Sequence, residues 1–138
     1  MFTIRPLIIL VFALLLVPAA WSASVDEAVP KQVYLVVEKG KLVASNVRFS
    51  RFDTLKLKPQ EKIEEEAVGA AAIVVVTNTR IIGYGVTGGW REMRRVVGER
   101  IQVVSADDYA GQVITSKRLL NFNGQTGVWA SQTRGVEN

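Results

Sequence analysis

The chain has no cysteine and no histidine among its 138 residues, and only four prolines and two methionines. Without Cys there are no disulfides, no thiolate nucleophile and no lipid anchor on a cysteine. Without His there is no Ser-His-Asp triad and no imidazole base. With both missing, the nitrogen and sulfur donors of the usual zinc or copper site are gone as well. The acidic clusters Glu64-Glu65-Glu66 and Asp107-Asp108 lack the ligand and glycine spacing of a calcium loop, and read as solvated surface. No metal, no cofactor and no catalytic residue is expected. Lacking disulfides, the fold must be held by packing and strand pairing alone.

One long apolar run is present, and it lies at the start. Met1 to Arg5 carries a single positive charge and Leu7 to Val17 is uninterruptedly apolar. Small residues follow at Ala20 and Ser22. This reads as an export signal cleaved after Ser22, since the run falls short of the roughly 20 apolar residues of a membrane span. An uncleaved anchor is the alternative. Cleavage leaves 116 of the 138 residues, enough for one domain, with the formal charge falling from +4 to +3 as Arg5 is lost. The pI near 9.6 is basic, but the basic residues are dispersed and an exported protein rarely meets nucleic acid, so no nucleic-acid partner is expected. The expected location is periplasmic or secreted, with no stable membrane span after cleavage.

The rest of the chain repeats itself. Thr77-Asn78-Thr79-Arg80-Ile81-Ile82-Gly83-Tyr84 is echoed by Thr115-Ser116-Lys117-Arg118-Leu119-Leu120-Asn121-Phe122. An earlier copy begins at Val36 with its own hairpin, Val36 to Val43 around Lys39-Gly40. Periodicity near 38 residues implies supersecondary units that each bury their apolar face only against a neighbour. The middle copy shows the unit best: β-branched Ile73 to Thr77, a break at Asn78-Thr79, Arg80 to Tyr84, a glycine-rich link to Trp90-Arg94, and Arg100 to Ser105. This predicts an all-β fold of repeated four-stranded antiparallel units of about 38 residues, propeller-like or an open β-repeat array, with no helix after residue 30. The units run over 31–71, 72–110 and 111–138, after a signal peptide at 1–22 and a linker at 23–30. The last unit is one strand short, so several chains completing one array, as a homo-oligomer, is expected to be open to this protein.

Gly88-Gly89-Trp90 and Gly127-Val128-Trp129, with the four-strand period, resemble β-propeller-type short-repeat proteins, including lectins whose small repeats end in a Gly-x-Trp strand. The first copy departs, with Ser50-Arg51-Phe52 in that place. The resemblance implies binding of sugars or proteins without chemistry, and carries over no specific site.

The candidate ligand-binding residues are Trp90, Trp129, Arg80 and Arg118. The Trp planes suit stacking on a sugar ring or anchoring a protein, but Phe52 at the equivalent place shows that a large apolar filler suffices, so inter-unit packing leads. Arg80 and Arg118, with Lys41 as their counterpart, recur just after the first turn. They suit either an anion-binding ring or, as the leading reading, solvated turn positions that discourage edge pairing. The expected function is an exported, non-catalytic β-repeat binding or scaffolding module of the cell envelope, with a polysaccharide or protein partner. A carboxylate-based glycoside hydrolase and a purely structural envelope protein are the alternatives.

Overall fold

The computed structural model describes residues 28 to 135, and the expected signal segment and its cleavage site lie outside them. Within that range the chain forms eleven six-residue strands and no helix. The first sheet is β1 (Val33–Glu38), β2 (Lys41–Asn46) and β3 (Arg51–Lys56); the middle sheet is β4 (Ile63–Val68), β5 (Ala72–Thr77), β6 (Arg80–Gly85) and β7 (Gly89–Arg94); the last is β8 (Ile101–Ala106), β9 (Ala110–Thr115), β10 (Arg118–Asn123) and β11 (Val128–Thr133). All pairings are antiparallel and run in chain order within each sheet. Turns fall at Lys39-Gly40, Asn78-Thr79 and Ser116-Lys117, as the repeat predicts. Gly40 supplies the positive φ of 75° that its turn needs.

The sheets and the sequence units are out of phase by one strand. The strand ending each unit, β4 or β8, pairs with the hairpin of the next unit and not with its own. Connection chemistry explains this. Leu57 to Lys62 and Arg95 to Arg100 are six-residue crossings between sheets, each folded through a turn, at Pro59-Gln60 and at Val97-Gly98, whereas Gly69 to Ala71 is a short link that returns β5 beside β4. The missing twelfth strand is therefore at the start of the array and not at its end: among the described residues, no strand pairs with the outer edge of β1.

The sheets stack face to face, and the middle one is covered on both sides. β5 and β6 are buried along their whole length. Alternation divides β5 and β6 between two cores. Ile73, Val75, Ile82 and Tyr84 meet Val33, Leu42 and Ala44 of the first sheet, while Val74, Val76 and Ile81 meet Val113 and Leu120 of the last. A strand that must be apolar on both faces reads as a continuous Val/Ile run, which Ala72–Val76 is. Close approach sets one residue in particular: a Cβ on Gly83 would lie 2.7 Å from the Phe122 ring.

Backbone bonds tie the stack together and repeat with it. Val47, Val86 and Gly124 donate to the carbonyls of Gln32, Ala71 and Tyr109, and between sheets Gln32 donates to Ala70 and Ala71 to Asp108. Trp90 and Trp129 add a side-chain tie. Trp90 packs on Tyr84 at 4.9 Å between ring centroids, and its indole N–H donates to the Asp53 carbonyl of the first sheet at 3.0 Å. Trp129 packs on Phe122 at 4.9 Å and donates to Arg91 of the middle sheet at 3.4 Å. Each Trp thus reaches back to the sheet before it. Phe52 stands at the same register with no sheet before it among the described residues, and is 74% exposed.

Trp90→Ala is expected to lower unfolding free energy by about 3 to 5 kcal/mol, the range for a large aromatic removed from a core. Phe52→Ala should cost less than about 1 kcal/mol, as at ordinary surface positions. Urea titration of the two variants measures the difference, and equal losses would mean that Phe52 is covered in solution.

Candidate functional site

Two sites in the molecule are built by the repeat, and they lie at its two hairpin ends. At the β5–β6 turn, Thr77 closes the hairpin by accepting from the backbone N–H of Thr79 and Arg80 through Oγ1 and donates that hydroxyl to Glu61 at 2.7 Å. Arg80 binds the same carboxylate with both arms, Nε to Oε2 and Nη2 to Oε1, each at 2.8 Å. Its remaining donors reach the Lys56 carbonyl at 2.9 Å and the Glu92 carboxylate. The β9–β10 turn repeats the arrangement with Thr115, Arg118 and Glu99: Arg118 Nε lies 2.7 Å and Nη2 2.8 Å from the carboxylate oxygens, and Nη2 also reaches the Arg94 carbonyl. Lys56 and Arg94 end the outermost strands of the preceding sheets, so each guanidinium clasps two sheets together.

Arg80 and Arg118 are therefore not the solvated turn residues that sequence reasoning favours. Arg80 is 6% exposed and Glu61 8%. A planar five-donor head can satisfy two carboxylate oxygens and a carbonyl at once, which permits its burial. The signal was in the chain: Glu61 to Arg80 and Glu99 to Arg118 are both 19 residues apart. In the first sheet Lys41 stands in the Arg place and Glu38 in the Thr place, and they form a partly exposed pair at 2.9 Å. A single point charge replaces the fork there.

Burial alone would raise the Glu61 carboxyl. The hydrogen bonds from Arg80, Thr77, the Lys58 amide and Thr79 outweigh it and hold the group down at about 2. Glu99 is likewise lowered, burial being overcome by Arg118, the Val96 amide and Thr115. Both acids are committed to the ionised form.

A second polar cluster sits between the first and middle sheets at the opposite strand ends. Tyr84 donates its hydroxyl to Asp53 at 2.5 Å and accepts from Asn46 at 3.0 Å. Asn46 also donates to the Val86 carbonyl, and Arg51 pairs with Asp53 at 2.9 Å. Burial first, and the Asp53 carboxylate next, raise the Tyr84 phenol above its ordinary value, so it remains a neutral donor. Each member has a hydrogen-bond partner within the cluster.

The four candidate ligand residues are not brought together. Arg80 and Arg118 lie at separate hairpin turns, each engaged by a glutamate. Trp90 and Trp129 lie at successive sheet junctions, each with its N–H used. What sequence reasoning missed is the pair of end faces of the stack that no other sheet covers among the described residues. On the last sheet, Ser105, Gln112, Asn121 and Ala130 form one cross-strand row. Gln112 donates to Asn121 at 3.2 Å, and the row lines a shallow hollow of about 760 Å³ with Tyr109 and Asp107. On the first sheet the outward rows are Tyr34, Ser45, Phe52 and Val36, Val43, Thr54. These occupy the registers that the other two sheets bury against a neighbour. Among the described residues, no group of three or more acidic side chains is placed to hold a metal ion.

No protein-family model matches this sequence, and none of the curated proteins compared with it matches.

The clasps set a pH dependence. A carboxylate whose folded pKa is depressed contributes stability above its unfolded value, near 4.3, and loses it as pH falls through its folded value. For Glu61, held at about 2, this is on the order of 3 kcal/mol lost between roughly pH 5 and pH 2. The urea midpoint should fall steeply over that interval. A Glu61→Gln, Glu99→Gln double variant should start lower and show a flatter profile, and a wild-type midpoint constant from pH 5 to 2 would contradict the assignment.

Proposed function

We propose that the chain is an exported, non-catalytic β-repeat binding or scaffolding module of the cell envelope. Its three sheets form a propeller-like array, and it binds through the outward face of the first sheet. The observation that carries this reading is the difference between the two ends of the stack. In the last sheet Gln112, Asn121 and Gln132 stand outward where the corresponding positions of the middle sheet hold Val74, Gly83 and Met93, while Val103, Ile114 and Leu119 remain aliphatic in the row that ends at Gln132. A polar outer face is what a terminal repeat needs in order to stay soluble. On the first sheet Ser45 stands where the middle sheet has Tyr84, but large apolar side chains flank it in the open: Tyr34 and Val36 are each 45% exposed and Phe52 74%. An uncapped interior-type face in a repeat array is a surface that awaits an occupant.

The non-catalytic part of the reading is supported by the direction of the carboxyl shifts. A glycosidase needs one acid of raised pKa opposite a second carboxylate. The two most buried glutamates, Glu61 and Glu99, are shifted the other way and bound by guanidinium groups. Export rests on the short charged start, the apolar run and the small residues around Ser22.

The exported protein should be retained on sedimented envelope material, and a Val36→Asp, Phe52→Asp double variant should lose that retention by roughly tenfold or more, as expected when central contact residues are removed. Its melting temperature should stay close to wild type because both side chains are exposed. Equal retention of the two proteins would refute this face as the binding surface.

A further inference from the structure

We propose that the outward face of the first sheet docks on an anionic phospholipid surface. This rests on the reading of that face as the binding surface, and names what it binds.

Charge and apolar exposure are concentrated on the same sheet. Residues 31 to 58 hold seven Lys and Arg against two acids, a net of +5, while residues 59 to 135 hold nine against eight, a net of +1. Six of the eleven exposed large hydrophobic side chains among the described residues, Tyr34, Val36, Val37, Val47, Phe49 and Phe52, belong to that same basic stretch; Tyr34, Val36 and Phe52 are on the outward rows, and Val37 is in register with Leu42 on the opposite face. The two features interleave. Lys31 lies 4.9 Å from the Tyr34 ring centre, and Arg48 and Arg51 lie 5.4 and 5.5 Å from that of Phe49. Lys41 and Lys56 close the far end of the outward face, in the row shared with Glu38. Rings that can enter the headgroup layer, flanked by cations that meet lipid phosphates, are the chemistry of interfacial attachment.

Three other occupants fit less well. A second copy docking face to face would set +5 against +5, which like-charge repulsion opposes. A second copy docking head to tail would pack Ile114 and Leu119 against the first sheet, but it would also take the Gln112 and Asn121 amides out of water with one mutual hydrogen bond between them and their remaining donors and acceptors facing Val36 and Val43. A polysaccharide would find Ser45, Thr54 and the Tyr34 hydroxyl as the only hydroxyls on the outward rows and no amide at all, whereas sugar recognition depends on such fixed polar groups. An acidic protein matches the charge, but the apolar tip at Val47 and Phe49, on the loop between β2 and β3, projects beyond the sheet in the way a lipid interface uses.

The experiment is co-sedimentation of the exported protein with vesicles of phosphatidylcholine alone or with phosphatidylglycerol added, at low and high salt. Binding is expected only with the anionic vesicles and should weaken as salt rises. Lys31→Gln, Arg48→Gln and Lys56→Gln should each weaken it about fivefold, the value of one cation near an anionic surface. Arg100→Gln, on the crossing into the last sheet, should leave it unchanged. A Phe49→Ser, Phe52→Ser double variant should weaken binding at both salt concentrations, because it removes the apolar share. Equal binding to both vesicle types, or to neither, overturns the proposal. So does binding to soluble polyglutamate that competes fully with vesicles, or a dimer that forms in place of vesicle attachment. If vesicles fail while envelope retention still depends on Val36 and Phe52, the lipid assignment falls and the binding face stands; if that retention is also absent, the face reading falls with it.

Discussion

Every other feature of this protein depends on the requirement that a β-sheet with two apolar faces be covered on both. Among the described residues, only the middle sheet is packed on both faces. Its β5 and β6 are buried along their full length, and they hold the first and last sheets in place through two separate cores that share one layer of backbone. Burial of this kind contributes about 25 cal/mol for each Å² of apolar surface removed from water, and it acts twice on the same twelve residues. Without disulfides, the array is held by this layer and by what clasps its edges.

The clasps convert a general attraction between sheets into a particular arrangement. Apolar faces alone would let neighbouring sheets slide or rotate. Arg80 and Arg118 forbid this, since each guanidinium must meet two carboxylate oxygens from the crossing segment and one carbonyl at the end of the preceding sheet. Buried ion pairs add little net stability over apolar residues of the same shape, yet they penalise misalignment heavily because a displaced partner leaves a buried charge exposed to nothing. Trp90 and Trp129 do the same at the outer strands with a single N–H each. The first sheet lacks both devices in their strong form, with Lys41 for the Arg and Phe52 for the Trp. It is clasped from the middle sheet, and among the described residues it carries no clasp of its own toward a preceding element.

The two ends of the stack differ: the last sheet mixes amides with aliphatic Val103, Ile114 and Leu119, and the first exposes aromatic and aliphatic side chains within a basic border. The same substitutions that make Phe52 useless as a tie to a preceding sheet leave it free to meet something else. Strand pairing does the structural work, and the uncovered face is left as the part of the surface whose composition the fold itself does not require.

Local chemistry was legible in the chain alone. β-branched runs, Asn-Thr and Lys-Gly turns and a period near 38 residues place the strands and hairpins, because backbone preference and turn geometry depend on neighbours in sequence. Trp90 and Trp129 pack against the two cores, but Phe52, read from the chain as an apolar filler at the same position, is exposed and covers no neighbouring sheet among the described residues. What the chain did not disclose was anything settled by contact between distant strands. The pairing of β4 with the following hairpin shifted the sheets by one strand against the units, and it moved the missing strand from the end of the array to its beginning. The burial of Arg80 also escaped, although its fixed separation of 19 residues from Glu61 recurs at Arg118 and Glu99. A charged side chain is solvated or buried according to whether a second segment brings it a partner, and only the tertiary structure decides that.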